Sequence, residues 1–277
     1  MHISPGMVAV VTGAASGIGR ATAELLVRRG CAVALVDVDA AGLEATAETC
    51  RQASGRVSVH AVDVADRPQM EALPAAVVAA HGHVDLLFNN AGVALDGTIE
   101  ELSLDDIRWL VDINLWGVIL GTKVFLPLLR QRPRAHIVNV SSLFGIVGMP
   151  RNGPYCASKF AVRGWSESLW TELHGSSIGV TCVHPGGIRT NIVRNARVID
   201  AAAHPSLMQE FEKVARTSPE HAAARILGAV ERNRMRLRIC PETVVLDWLK
   251  RLLPTGVQTL IARMARAAAA GPLSPPP

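Results

Sequence analysis

Short, almost unbroken apolar runs alternate along this chain with longer segments in which apolar residues return every third or fourth position. The runs Val8–Val11, Cys31–Val36, Val84–Phe88, Ala135–Val140 and Gly179–His184 predict strands, and Val57–Val62 and Arg236–Cys240 predict two more. Such continuous apolar strands belong to a parallel sheet covered on both faces. Helical spacing predicts helices over Arg20–Arg29, Leu43–Ala53, Met70–His81, Ser103 to about Leu129, Tyr155 to about His174, and Pro219–Asn233. Strand–helix alternation from end to end predicts an α/β fold, a single doubly wound parallel sheet of about seven strands flanked by helices. Two further stripes follow the last strand, Val244, Val245, Trp248, Leu249, Leu252 and Leu253, then Val257, Leu260, Ile261 and Met264, and predict a helical C-terminal extension over about 243–266. The pattern loosens between 191 and 217, where Val193, Val198, Ile199, Leu207, Met208 and Phe211 suit either a lid over a ligand or two short packed helices.

At 277 residues with no visible linker or repeat, the chain reads as one domain over 1–266, and its Ala/Pro-rich tail, 267–277, is expected to be disordered. The net charge is only +4, but residues 225–266 carry nine Arg or Lys against Glu231, Glu242 and Asp247. With Trp248 the sole aromatic in that stretch, a solvated helix face is preferred and no nucleic-acid partner is expected. Five scattered cysteines, none in CxxC spacing, read as buried apolar fillers, and no metal is expected. No leader pattern opens the chain and no apolar run reaches membrane-spanning length, so the expectation is a cytoplasmic protein without membrane contact.

The first strand runs into Thr12-Gly13-Ala14-Ala15-Ser16-Gly17-Ile18-Gly19 and then a helix. Glycines at such a turn let the backbone approach a pyrophosphate, and the helix N-terminus offers free N–H groups. The spacing is GxxxGxG, so the turn alone is weak evidence. Asp37 ends the second strand some twenty residues on, where a carboxylate would bind ribose hydroxyls and repel a 2′-phosphate. No Arg or Lys adjoins it in sequence and Ser16 leaves the turn without a cation, which favours NAD over NADP; Asp39 is the better candidate for capping the next helix. Asp63-Val64 and Asn89-Asn90-Ala91-Gly92 stand at later strand ends, where the amides suit a structural role.

Tyr155, the single tyrosine, and Lys159 stand four residues apart, on one face of a helix. An ammonium beside a phenol favours the phenolate and makes tyrosine a usable acid or base. Surface Tyr and Lys at this spacing are common, so the pair gains weight only from its context. Asn114 inside a predicted helix is either a tolerated polar residue or a kink holding a water.

Together these motifs resemble the classical short-chain dehydrogenases/reductases from about Met7 to Thr190, which implies a Rossmann-like fold. The resemblance places an active-site tetrad on Asn114, Ser142, Tyr155 and Lys159. It implies that Tyr155 exchanges the proton, Ser142 orients the substrate oxygen, Lys159 binds the ribose and lowers the tyrosine pKa, and Asn114 holds a relay water, with hydride passing between nicotinamide and substrate carbon. Cofactor contacts are implied at Gly13, Ser16, Gly17, Ile18, Gly19, Asp37, Asp63, Val64, Asn90, Ala91, Gly92, Tyr155, Lys159, Pro185, Gly186, Ile188 and Thr190. Substrate contacts are expected from Ser142, Phe144, Met149, Tyr155, Gly187 and Val193, and the apolar lid residues with the Leu143-Phe144, Val147 and Met149 segment after Ser142 point to a steroid, retinoid-like or lipid-derived alcohol or ketone. The C-terminus departs from the commonest family pattern, which puts a tetramer in doubt, while the resemblance implies that the helices at about 103–129 and 155–174 support the family's usual dimer contact; the assembly is expected to be a homodimer or homotetramer. A non-catalytic nucleotide-sensing or scaffold protein on the same fold is the alternative, and the intact Tyr155 and Lys159 weigh against it.

Overall fold

The computed structural model describes residues 1–200 and 204–269. Strands β1 (Val8–Thr12), β2 (Ala32–Asp37), β3 (Val57–Ala61), β4 (Leu86–Asn89), β6 (Ala135–Val140), β7 (Ile178–His184) and β9 (Arg236–Arg238) form one parallel sheet in the order β3-β2-β1-β4-β6-β7-β9. Two short strands, β5 (Leu95–Asp96) and β8 (Arg197–Val198), pair with each other outside it.

Strand residues divide alternately between two cores, as the period of two requires. Val11, Val33, Leu35 and Phe88 face helices α1 (Gly17–Arg28), α2 (Ala40–Gln52) and α8 (Pro219–Glu231), where Leu26, Leu43, Ile226 and Leu227 meet them. Val10, Val36, Leu87 and Ile137 face α3 (Arg67–His81), α5 (Gly117–Leu129) and α6 (Gly153–Glu172), where Met70, Val77, Phe125 and Leu169 meet them. Burial of each such side chain contributes about 1.5–3 kcal/mol. The chain order reverses between β1 and β4, and doubly wound sheets bind ligands beyond the strand ends at such a switch point.

Several expectations need correction. The long helix is continuous from Leu104 to Leu129 but changes winding, with α4 (Leu104–Val111) joined to α5 by a π-helical turn over Asp112–Trp116 that contains Asn114. By length and composition this helix could cross a membrane, contrary to the sequence expectation; here it lies on the sheet, with Val118, Phe125 and Leu129 buried. Among its described residues the 191–217 segment holds one helix, α7 (His204–Val214), and β8 rather than two helices; Ala201–Ala203 lie outside the described residues. The last strand stops at Arg238. The extension is helical as expected, in α9 (Pro241–Leu252) and α10 (Gly256–Ala269). Helix α10 takes in the first residues of the expected disordered tail, whose remainder lies outside the described residues. The basic stretch is not simply a solvated face. Arg236, Arg238 and Arg251 converge on Asp247, which is 1% exposed. All five cysteines are free and buried, and among the described residues no cluster of His, Cys, Asp or Glu suits a metal.

Candidate active site

The glycine turn is a cradle that no side chain could share. Gly13 and Gly17 adopt φ of +68° and +54°, left-handed values that favour glycine. A Cβ on Gly13 would stand 2.7 Å from Asn90 Nδ2 and 2.9 Å from Ala91 Cα. Asn90 braces the turn by donating Nδ2 to Thr12 O at 2.9 Å and to Gly13 O at 3.3 Å. Thr12 Oγ1 accepts from the N–H of Asn90 and of Ala91, both at 3.0 Å. The Ser16 side chain caps nothing, so the first N–H groups of α1, among them those of Ile18 and Gly19, stay open toward the strand ends. Thr190 closes on Gly17, its Cγ2 being 3.1 Å from where a Cβ would be.

Asp37 accepts from Ala15 N at 3.0 Å and Asp39 N at 3.1 Å, which ties its carboxylate to the rim of the turn. Asp39 caps α2 by accepting from Gly42 N at 2.9 Å, as the sequence predicts. One cation was missed: Arg20, a turn into α1, donates Nη2 to Ala15 O at 2.6 Å and Nε to Thr46 Oγ1 at 2.9 Å. Linear adjacency hid it, although the guanidinium is committed to the protein. Asp63 accepts from Ala65 N at 2.9 Å, and Val64 lies under Gly117 of α5. Asn89 is wholly structural, donating Nδ2 to Asn139 Oδ1 at 2.9 Å inside the core.

Tyr155, Lys159, Ser142 and Asn114 come together beyond β4 and β6. Lys159 Nζ is 5.7 Å from the Tyr155 ring centroid and donates to Val140 O at 3.1 Å. A Cβ on Gly92 would lie 3.2 Å from Lys159 Nζ and 3.1 Å from Asn114 Oδ1, so Gly92 stands directly beside both. Ser142 leads into a 3-10 turn over Leu143–Gly145, and its Oγ accepts from Phe144 N at 3.1 Å. Phe144 meets Tyr155 edge-on at 5.9 Å. The Asn114 amide is spent on Val93, donating Nδ2 to its O at 2.9 Å and accepting from its N at 2.8 Å. The π turn aims it there.

Burial dominates the electrostatics. It pushes the Tyr155 phenol up to about 12, with the Ser142 hydroxyl pulling the other way, and pushes Lys159 down to about 8. In the folded chain burial and the Ser142 hydroxyl, rather than the Lys159 charge, govern the Tyr155 pKa. At neutral pH the pair is a phenol beside an ammonium.

The remaining residues are less convergent. Pro185 O accepts from Leu143 N at 2.7 Å, Ile188 is buried and Arg189 N donates to Thr217 O. Gly186 and Gly187 face Glu242, which accepts from Gly187 N at 3.1 Å, and a Cβ on Gly187 would overlap the Val214 backbone. That side of Gly187 is filled by protein, against its assignment to substrate. Met149 packs with Val257 of α10 rather than with Tyr155. Ile192, not Val193, joins the Tyr155 cluster with Val93, while Val193 O contacts His204 Nε2 at 3.0 Å. Ile192 was legible only as an apolar residue in an irregular stretch.

A glycine cradle at the switch point and, beside it, buried tyrosine, lysine and asparagine with a half-buried serine define a doubly wound protein of dinucleotide-binding type. The short chain dehydrogenase family profile matches residues 7–199. A Mycobacterium tuberculosis protein named as an oxidoreductase, SadH, is 41% identical over 93% of this chain and 94% of its own. The 3-oxoacyl-[acyl-carrier-protein] reductase FabG of Thermotoga maritima is 36% identical over 67% of this chain and 75% of its own. A Burkholderia phymatum short chain dehydrogenase/reductase, crystallised with NAD, superposes with a TM-score of 0.85 at 33% identity, covering 91% of this chain and 95% of that one. This chain belongs to the short-chain dehydrogenase/reductase family and is an oxidoreductase of that family.

Proposed function

We propose that the protein interconverts a secondary alcohol and a ketone with NAD, an activity of the EC 1.1.1.- type. The observation that carries this reading is the convergence of Tyr155, Ser142, Lys159 and Asn114 next to a cradle that only bare backbone fits. NAD, when bound, supplies the hydride acceptor and its reduced form the donor. The open N–H groups of α1 suit its pyrophosphate, Asp37 its adenosine ribose, and Lys159 its other ribose.

The protein's own groups manage the proton. Tyr155 is a neutral phenol at pH 7 and gives its proton to a ketone oxygen in the reducing direction. In the oxidising direction the phenolate form takes the alcohol proton and becomes the phenol, and the Lys159 charge favours the phenolate that this step needs and that reduction leaves behind. Ser142 hydrogen-bonds the same oxygen and fixes its approach. Because the Asn114 side chain is engaged by Val93, a relay water there would be held by main chain rather than by the amide. Phe144, Val93 and Ile192 around the phenol favour an apolar substrate, and the acyl ketone in the name of the FabG relative agrees in kind. We further place the protein in the cytoplasm as a homodimer or homotetramer.

The test is a spectrophotometric screen with NAD and NADP, pairing sterols and long-chain alcohols with sugar alcohols and hydroxy acids. Turnover of the apolar set with NAD is expected, and Tyr155→Phe should lower kcat by at least about a hundredfold while NADH still binds. Turnover confined to polar substrates would remove the apolar assignment, and an active Tyr155→Phe would remove the acid/base role.

A further inference from the structure

The C-terminal extension reaches Ser142 through a chain of buried polar groups that the chemistry above does not use. His184, the last residue of β7, is fully buried, and its Nδ1 lies 3.0 Å from the Ser142 carbonyl oxygen. Its Nε2 lies 3.2 Å from Arg236 Nε on β9. A guanidinium N–H can only donate, so Nε2 accepts and carries no proton. The Cys182 thiol, 3.5 Å from the same nitrogen, can add only a second donor. Burial also keeps the ring neutral, with its pKa pushed down to about 4. The single proton is therefore on Nδ1, and Nδ1–H donates to Ser142 O.

Arg236 is fixed in turn. Its Nη2 donates to Asp247 Oδ1 at 2.9 Å and its Nη1 to Oδ2 at 3.2 Å, the two-pronged geometry that orients a guanidinium plane. Arg238 and Arg251 donate to the same carboxylate at 2.8 Å and 3.4 Å. Asp247 belongs to α9, in the extension. The register Val140↔Val183 places the backbone donor that Pro185 lacks opposite Ser141 O, so the Ser142 carbonyl takes its donor from a side chain rather than from the ladder. Leu143 N donates to Pro185 O on one side of the serine, and the His184 ring holds the serine carbonyl itself.

We propose that His184 is a positioning residue for Ser142, with its tautomer set by Arg236 and Asp247, so that the C-terminal extension completes the site from behind. Its kinetic consequence rests on the oxidoreductase reading. His184→Phe keeps a ring and removes both hydrogen bonds. The expected result is unchanged NADH affinity and a kcat lower by about tenfold to a hundredfold, the range for a reacting group displaced by a fraction of an ångström to an ångström. In a Ser142→Ala background the same change should add little, because both act through one hydroxyl. Full additivity of the two losses, or a His184→Phe enzyme with wild-type kcat, would overturn the proposal.

A second readout needs no turnover. Nitrogen-15 NMR of the imidazoles, with the His184 signals assigned by their loss in His184→Phe, should show the Nδ1–H tautomer in the wild type. A mixture with Nε2–H should appear in Arg236→Met, or in the gentler Asp247→Asn if Arg236→Met does not fold. An Nε2–H ring in the wild type would refute the relay. A wild type that binds NADH but oxidises and reduces nothing would instead refute the assigned reaction, leaving the tautomer to decide the relay.

Discussion

One glycine-to-alanine change in each of two helices should act with opposite signs. Gly19 lies in the first turn of α1 and Gly228 in the last turn of α8. Alanine in a helix is favoured over glycine by about 1 kcal/mol, so propensity predicts a gain at both positions. At Gly19 the space forbids it. A Cβ would fall on the Gly13 carbonyl oxygen, 2.7 Å from the carbonyl carbon and 2.6 Å from Asn90 Nδ2. Neither neighbour can retreat, because Asn90 Nδ2 donates to both Thr12 O and Gly13 O and its own N–H is held by Thr12 Oγ1. Overpacking of this kind costs about 1–3 kcal/mol, which leaves Gly19→Ala with a net loss of up to about 2 kcal/mol. At Gly228 the nearest atom is Arg232 Nη2 at 2.8 Å, the free-swinging end of a long side chain, and the next is at 3.5 Å. There the propensity gain survives.

Thermal melting of the two variants reads the signs, since each kcal/mol moves the midpoint of a chain this size by about 2–4 °C. Gly19→Ala should melt lower and bind NADH at least about tenfold more weakly, a factor worth 1.4 kcal/mol, while Gly228→Ala should melt higher with affinity unchanged. A Gly19→Ala protein as stable as wild type, with wild-type NADH affinity, would refute the reasoning that bare backbone at this turn is obligatory.

Three further outcomes are expected. Asp37→Asn keeps one of the two acceptor oxygens that serve Ala15 N and Asp39 N and removes the charge; the wild type should prefer NAD to NADP in kcat/KM by at least about tenfold, and the variant should close most of that gap. A wild type that prefers NADP would end the cofactor assignment. Lys159 is held near 8 against 10.5, so it carries an unfavourable buried charge below pH 8 that is relieved as pH rises to 10.5, and stability contributed by this group rises through that window. Lys159→Met should therefore melt higher than wild type at pH 7, by a margin on the order of 3 kcal/mol before the Val140 hydrogen bond is discounted, and should lose the rise between pH 8 and 10.5. Gly164 on α6 has nothing within 4 Å of a Cβ in the single chain, so Gly164→Arg should leave the fold intact yet split a dimer built through α5 and α6; an unchanged mass by light scattering would exclude that interface.

The sheet was legible because strands buried on both faces read as unbroken apolar runs, and Val8–Val11 or Ala135–Val140 admit little else. The glycine turn was legible because strand, turn and helix follow one another without interruption. What escaped was whatever depends on residues far apart in sequence. Ile192 reaches Tyr155 from a segment with no regular period. Arg20 reaches the turn because a helix carries it one turn back onto Ala15 O, not because it adjoins the glycines. At Tyr155 the same holds: Lys159 is visible at four residues' distance, whereas the desolvation that dominates the phenol comes from the whole fold.

The basic C-terminal stretch shows where charge counting fails. Summed along the sequence, those cations outnumber the acids and read as a solvated face. Yet Arg236 and Arg238 are two apart on one strand, which places both on the same side of the sheet. Asp247 and Arg251 are four apart on a helix, which brings them to one face. A strand carrying Arg-x-Arg, followed by a helix with one acid at a position that breaks the apolar stripe, is a sequence signal for internal neutralisation rather than for a charged surface. Removing one partner of such a buried group costs far more than a surface pair, about 3–5 kcal/mol. The extension is therefore anchored by its charges as well as by Val257 and Ile261, and a charge change at Asp247 is felt at His184 and Ser142 before it is felt in solvent.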